Sequence, residues 1–147
     1  MMKRAIKASI DILAPPETVW GVLMDFPRYP EWSKFLLNIE GRAVPGSYLH
    51  VMLMTADGKP NIFKPVVLQV TPPRAFRWLD HLGVPGLFDR EHSFNLEYQF
   101  GGHTRVRHTE EFGGLLTPFL WRRFEAPVTR GFVAFNHALK KRAESRA

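Results

Sequence analysis

Residues 87–113 read LFDREHSFNLEYQFGGHTRVRHTEEFG, and this stretch decides the fold. From Leu87 to Phe100 the residues alternate. Phe88, Arg90, His92, Phe94, Leu96, Tyr98 and Phe100 share one face, and Asp89, Glu91, Ser93, Asn95, Glu97 and Gln99 share the other. A period of two with one apolar face is the mark of a half-buried strand, so the first set faces inward and takes Arg90 and His92 with it. Gly101-Gly102 then turns the chain, and a second strand offers Val106, His108, Glu110 and Phe112 against Arg105, Arg107, Thr109 and Glu111. A two-residue turn would pair Phe100 with His103 and bury Arg105 and Arg107 beside Leu96 and Tyr98 without partners, which is costly. A three-residue connection or one bulge avoids this and pairs Phe100 with Thr104. In that register Leu96 opposes His108, Phe94 opposes Glu110, and His92 opposes Phe112. His92 and Glu110 become diagonal neighbours, roughly 7–8 Å apart at the backbone and within side-chain reach.

Working outward, the preceding chain breaks into strands at its turn residues. The expected strands are 35–42, 46–56 after Pro45-Gly46, 61–71 after Asp57-Gly58-Lys59-Pro60, and 74–82 after Pro72-Pro73. Residues 3–13 alternate as well, with Ile6, Ala8, Ile10 and Ile12 on one side. Pro15-Pro16 ends this first strand, and Pro16 suits the first turn of a helix carrying Val19, Trp20 and Leu23. The prolines of Phe26-Pro27-Arg28-Tyr29-Pro30-Glu31-Trp32 stop that helix and leave room for a short helical turn. On the C-terminal side, Leu120, Phe124, Val128, Phe132, Phe135 and Leu139 recur at helical spacing, a stripe about 30 Å long. Pro127 and Gly131 lie inside that helix, so a kink or loosened turn is expected near Ala126. The reading is an α+β domain: a curved seven-stranded antiparallel sheet wrapped around a long C-terminal helix, with two short helices after strand one. Curvature of this kind leaves space between sheet and helix.

The length, 147 residues, suits a single domain spanning 1–147. With 45% apolar and 23% charged residues the composition is globular. The absence of cysteine excludes disulfides, thiolate metal clusters and a cysteine nucleophile. No apolar run has signal-peptide or membrane-span length, so the expected location is the cytoplasm. Of the net charge of +6, +5 lies between Thr117 and Ala147, where seven basic residues meet Glu125 and Glu144. A basic helix of this kind is either a solvated face or a transient contact for an anionic membrane; nucleic acid is not an expected partner. A monomer and a homodimer are both compatible with the chain.

Ala14-Pro15-Pro16-Glu17-Thr18-Val19-Trp20, with Asp25-Phe26, Tyr29-Pro30 and Trp32, resembles the opening region of the START-like or SRPBCC superfamily, which includes polyketide cyclases and lipid-transport proteins. Lys64-Pro65-Val66-Val67, Pro73-Arg74-Ala75-Phe76-Arg77-Trp78, Glu91-His92-Ser93-Phe94 and Glu110-Glu111-Phe112-Gly113-Gly114-Leu115 look like a bacterial branch of it. The resemblance covers essentially the whole chain. It implies the helix-grip fold and a deep, mostly apolar pocket between sheet and helix. It also implies that Phe26 to Phe35, including Trp32, lies at the pocket mouth and that Phe124, Val128 and Phe132 form its helix wall.

The candidate polar site is Arg90, His92, His108 and Glu110 among Phe94, Tyr98 and Trp78. Met52, sharing a face with Tyr48, His50 and Met54, suits an adaptable apolar wall and equally an ordinary core. A carboxylate beside a histidine can act as acid and base, making His92 and Glu110 the catalytic candidates, or can simply hydrogen-bond a ligand. A metal reading also exists, since two histidines and a carboxylate can ligate zinc or iron, but it is the weaker one because His108-x-Glu110 is a strand spacing and no helical His-Glu-x-x-His exists. No phosphate loop and no Gly-x-Ser-x-Gly elbow is present, so no cofactor is called for. The expected function is binding or transport of a small hydrophobic ligand such as a lipid, quinone or polyketide-like aromatic. The alternative is a cyclase, aromatase or dehydratase using the same cavity.

Overall fold

The computed structural model describes residues 3–54 and 58–146. β1 (Arg4–Ile12) is followed by α1 (Pro16–Met24) and a 3-10 turn (Phe26–Glu31). Then come β2 (Leu36–Glu40), β3 (His50–Met54), β4 (Pro60–Phe63), β5 (Val66–Thr71), β6 (Ala75–His81), β7 (Asp89–Gln99), β8 (His103–Gly113) and α2 (Thr117–Glu144). Pro16 stands at the first turn of α1, where its missing amide costs nothing.

Among the described residues the strands number eight in two antiparallel sheets, ordered β1-β8-β7-β6-β5 and β2-β3-β4. The expected strand 61–71 is two strands, because Lys64-Pro65 interrupts it and proline cannot donate to a ladder. The sheets still meet. Tyr48 bridges Val66, the Leu49 amide donates to the Pro65 carbonyl at 2.9 Å, and the Val67 amide donates to the Ser47 carbonyl at 2.8 Å. The end of the expected strand 46–56, at Thr55 and Ala56, and Asp57 of the turn after it lie outside the described residues.

α2 packs across β1 and β8 and against α1. Pro127 lies within α2 without ending it. Phe132, Phe135, Leu139 and Ala143 form its buried face, which meets Ile6, Val106 and the aromatics of β6–β8 in one core. The basic end of α2 is tied to the body: Arg142 pairs with Glu31 at 2.6 Å, Lys140 pairs with Glu144, and Glu144 accepts the Leu13 amide at 2.8 Å. Among the described residues no helix is long and apolar enough to cross a membrane.

β7 and β8 pair with Gln99 opposite His103. The connection is therefore three residues, Phe100-Gly101-Gly102, with both glycines at positive φ (90° and 80°). This differs by two residues from the expected Phe100–Thr104 pairing. A shift of two preserves the faces, so Arg90, His92, Phe94 and Leu96 stay on the inward face while Tyr98 and Phe100 at the tip are exposed, but it changes the neighbours. His92 now sits directly opposite Glu110, and His108 opposite Phe94.

Candidate functional site

A cavity of about 480 Å³ opens between the β2-β3-β4 sheet, the first half of β7, the end of β8 and the N-terminal half of α2. Its walls are mostly apolar, and Arg90, His92 and Glu110 converge on it from β7 and β8. Of the expected wall residues, Phe35, Phe124, Val128 and Phe132 border it too.

Behind His92 runs a buried chain of hydrogen bonds. The Asn136 amide group donates from Nδ2 to the Ala8 carbonyl at 3.3 Å. A carbonyl only accepts, so this contact fixes which way the Asn136 amide points. Its Oδ1 then accepts from His108 Nδ1–H at 3.0 Å. His108 is fully buried, and desolvation first, then the neighbouring His92, push its pKa well below the usual imidazole value against the opposing Asn136 bond. It is neutral, so its Nε2 carries a lone pair. The short contact of 2.7 Å between His108 Nε2 and His92 Nε2 is therefore donated by His92. This leaves His92 Nδ1 as the nitrogen facing Glu110, with Oε1 at 3.8 Å. That separation is within ion-pair range but too long for a hydrogen bond.

Rings hold both histidines in place. His92 stacks on Trp78 at 4.6 Å, and His108 lies parallel to Phe132 with centroids 3.7 Å apart. Arg90 is ion-paired with Asp80, and its guanidinium lies 5.4 Å from the Phe63 ring centroid. Its Nε is buried and has no hydrogen-bond partner among the described residues. The cavity thus meets Glu110 and, where the His92 ring is neutral, its Nδ1 as acceptors, and the Arg90 guanidinium as donor.

The other expected site residues stand elsewhere. His108, Trp78 and Phe94 form the layer behind His92, with Phe94 stacked on His108 at 4.4 Å, and do not line the cavity. Phe26 packs against Tyr29 and Phe76, and Trp32 against Tyr29 and Phe135, so both serve the core below the mouth. Tyr98 projects into solvent at the far tip of β7, 67% exposed. Met52 does not border the cavity; it pairs with the exposed Ile62, and at the end of β3 Leu53 and Met54 border the cavity instead. β3 is apolar on both faces, so alternation alone cannot choose between them.

Two supporting residues escaped the sequence reading. Asp80 shares a face of β6 with Phe76 and Trp78 and lies opposite Arg90, which is the signal that could have found it. Asn136 stands one helical turn after Phe132 in the apolar stripe, and a polar residue there is the visible cue. Among the described residues no group of three or more acidic or histidine side chains is placed to hold a metal ion.

Gly131 lets the cavity wall close. A Cβ there would fall 2.2 Å from Phe35 Cε1, so the ring rests directly on the helix backbone. Gly131→Ala is expected to displace the Phe35 ring at a cost of about 1–3 kcal/mol, read by urea denaturation. An unchanged midpoint would contradict this packing.

The buried neutral His108 also predicts acid sensitivity. Its folded pKa lies below the unfolded value, so below about pH 6.5 the unfolded chain binds a proton that the folded chain refuses. Stability should fall by about 1 kcal/mol per pH unit as pH drops from 6.5 towards the folded pKa. The check is the pH slope of stability between pH 6.5 and 5. His108→Gln, which cannot titrate, should flatten it; an identical slope would show that other groups cause the loss.

The family model described as polyketide cyclase / dehydrase and lipid transport matches residues 3–144. No curated protein matches the chain in sequence. Among solved structures, the Zhui aromatase/cyclase from Streptomyces sp. R1128 superposes with a TM-score of 0.79 at 22% identity, covering 99% of this chain and 96% of that one. A START superfamily protein from Mycobacterium smegmatis gives 0.75 at 16% identity, covering 97% and 99%. A point mutant of norcoclaurine synthase from Thalictrum, in complex with a transition-state analogue, gives 0.75 at 13% identity, covering 99% and 96%. At such identities these likenesses speak for the fold alone, and the fold they share is START-like. On the family match over nearly its whole length, the chain belongs to the polyketide cyclase/dehydrase and lipid transport family.

Proposed function

We propose that the protein binds a small, mostly apolar molecule bearing a hydroxyl and a carbonyl group in the cavity between sheet and α2. The observation that carries this reading is the polar arrangement inside an otherwise apolar cavity. His92 Nδ1 and Glu110 offer acceptors to a hydroxyl, and the guanidinium of Arg90, which lines the cavity, offers a donor to a carbonyl. A few convergent polar groups in an apolar pocket orient a ligand while burial of its apolar body supplies affinity. An aromatic or polyketide-like molecule fits this chemistry better than a plain hydrocarbon chain. The test is native mass spectrometry of protein purified gently from its own host, with organic extraction of any added mass. A stoichiometric apolar, oxygen-bearing adduct is expected. Protein that carries no adduct and takes up no hydroxylated aromatic probe saturably would overturn the proposal.

A second reading, catalysis, is favoured by the hydrogen-bond chain. His92 can accept a proton at Nδ1 while its Nε2–H bond to His108 stays intact, and Glu110 at 3.8 Å stabilises the resulting imidazolium. Those are the roles of a general base and its electrostatic partner in enolising or dehydrating a carbonyl compound. This reading expects turnover of a carbonyl-rich substrate that is lost in His92→Phe. Binding without turnover would leave the carrier role standing.

A further inference from the structure

We infer that the end of the molecule where β8 passes into α2 is a docking surface for an anionic lipid membrane. Two segments build it. The β6–β7 loop exposes Leu82 and Val84, and the β8–α2 junction exposes Leu115 and Phe119, the last two 69% and 78% exposed. Backbone hydrogen bonds lock the segments together: the Leu115 amide donates to the Gly86 carbonyl at 3.0 Å, and the Leu116 amide to the Leu87 carbonyl at 2.8 Å. The apolar side chains are thus held out on one rigid knuckle. Exposed clusters of this kind mark interaction sites.

Charge names the partner. Arg122 and Arg123 follow Phe119 on α2, are exposed, and make no ion pair with any described residue. Arg4 lies over Trp121 at 6.0 Å, at the same end. The nearby carboxylates of Asp89, Asp80 and Glu91 are engaged by His81, Arg90 and Arg77, which leaves Glu111 on the outer face of β8 and Glu125 on α2 as the local acids. Insertion of Phe119 and Leu115 between lipid tails with Arg122 and Arg123 at the phosphates uses both features. A second copy fits worse, since a two-fold contact across this knuckle would bring the arginines of each copy together. The opposite end of the sheet makes the contrast. It exposes Tyr98 and Phe100, and two of its cations are engaged, Arg105 by Asp11 and Lys140 by Glu144, while Arg74 makes no ion pair with a described residue. This narrows the expected contact through the basic C-terminal helix to the N-terminal end of α2. Arg123 also borders the cavity, so docking would set the mouth against the bilayer; that last consequence, unlike docking itself, rests on the ligand-binding proposal.

Vesicle flotation with phosphatidylcholine alone and with added phosphatidylserine tests the surface. The full chain should float with the phosphatidylserine vesicles and detach as salt rises. Leu115→Ser with Phe119→Ser should weaken that partition by about tenfold or more, given what burying each side chain contributes. Phe100→Ser, at the other end, should leave it unchanged, and saturable uptake of β-naphthol should survive in both variants, which separates this result from failure of the cavity proposal. Absent flotation, or flotation indifferent to the double substitution, would overturn the inference. So would a lipid-free dimer of the full chain that the same double substitution splits, since the knuckle would then be a self-interface.

Discussion

Replacing Gly114 by alanine is expected to lower the unfolding free energy by about 3 kcal/mol or more. Gly114 has a φ of 111°, a conformation that side chains rarely tolerate, and its added Cβ would stand 2.4 Å from the Leu87 carbonyl oxygen and 2.6 Å from the carbonyl carbon. Backbone cannot swing aside as a side chain can. The crossing of residues 86–87 over 114–116 would have to open, and with it the hydrogen bonds that start α2. Gly113 supplies the control, since a Cβ there meets nothing within 4 Å and its φ is unremarkable. Urea denaturation of the two alanine variants should separate them by about 2 kcal/mol or more. Equal midpoints would mean that the two loops are not locked as described.

His92→Phe is expected to have the largest effect on the cavity. The phenyl ring keeps the stack on Trp78 but removes both nitrogens, so the ligand loses its acceptor and His108 Nε2 loses its donor. Losing the ligand bond should weaken binding of a hydroxylated aromatic by about 10- to 100-fold. The orphaned, fully buried His108 nitrogen should cost about 1–3 kcal/mol of stability in addition. Isothermal titration and denaturation read the two effects separately. Unchanged affinity together with lowered stability would assign His92 to the architecture alone.

Much of this site was legible in the residues, and the limits have physical causes. The inward face of β7 and β8 followed from alternation, because only one face could be buried without stranding Arg105 and Arg107. Those arginines are found on the outside, paired with Asp11 and Glu97. The register was legible only in parity. Phe100 reads as the last inward residue of a strand, yet it sits in the turn, 99% exposed, because the three-residue loop with its two glycines at positive φ begins one residue earlier. The error moved His92 from diagonal to directly opposite Glu110, so the pair survived it. In β3, Met52 and Met54 compete with Val51 and Leu53 as equally apolar faces, and only the tertiary contacts of Leu49 and Val51 in the core decide the matter. The relay through Asn136 joins β1, β7, β8 and α2, and no local pattern reports a contact across 128 residues of chain.

The ligand-binding proposal turns on whether His92 and Glu110 offer an acceptor to a hydroxyl in the cavity. The most direct measurement is a fluorescence titration of the protein with β-naphthol and with its methyl ether, which share an aromatic body and differ in the ability to donate a hydrogen bond. The naphthol should bind about tenfold or more tightly than the ether, and His92→Phe should erase the difference. Equal affinities of the two probes for the unaltered protein would contradict it.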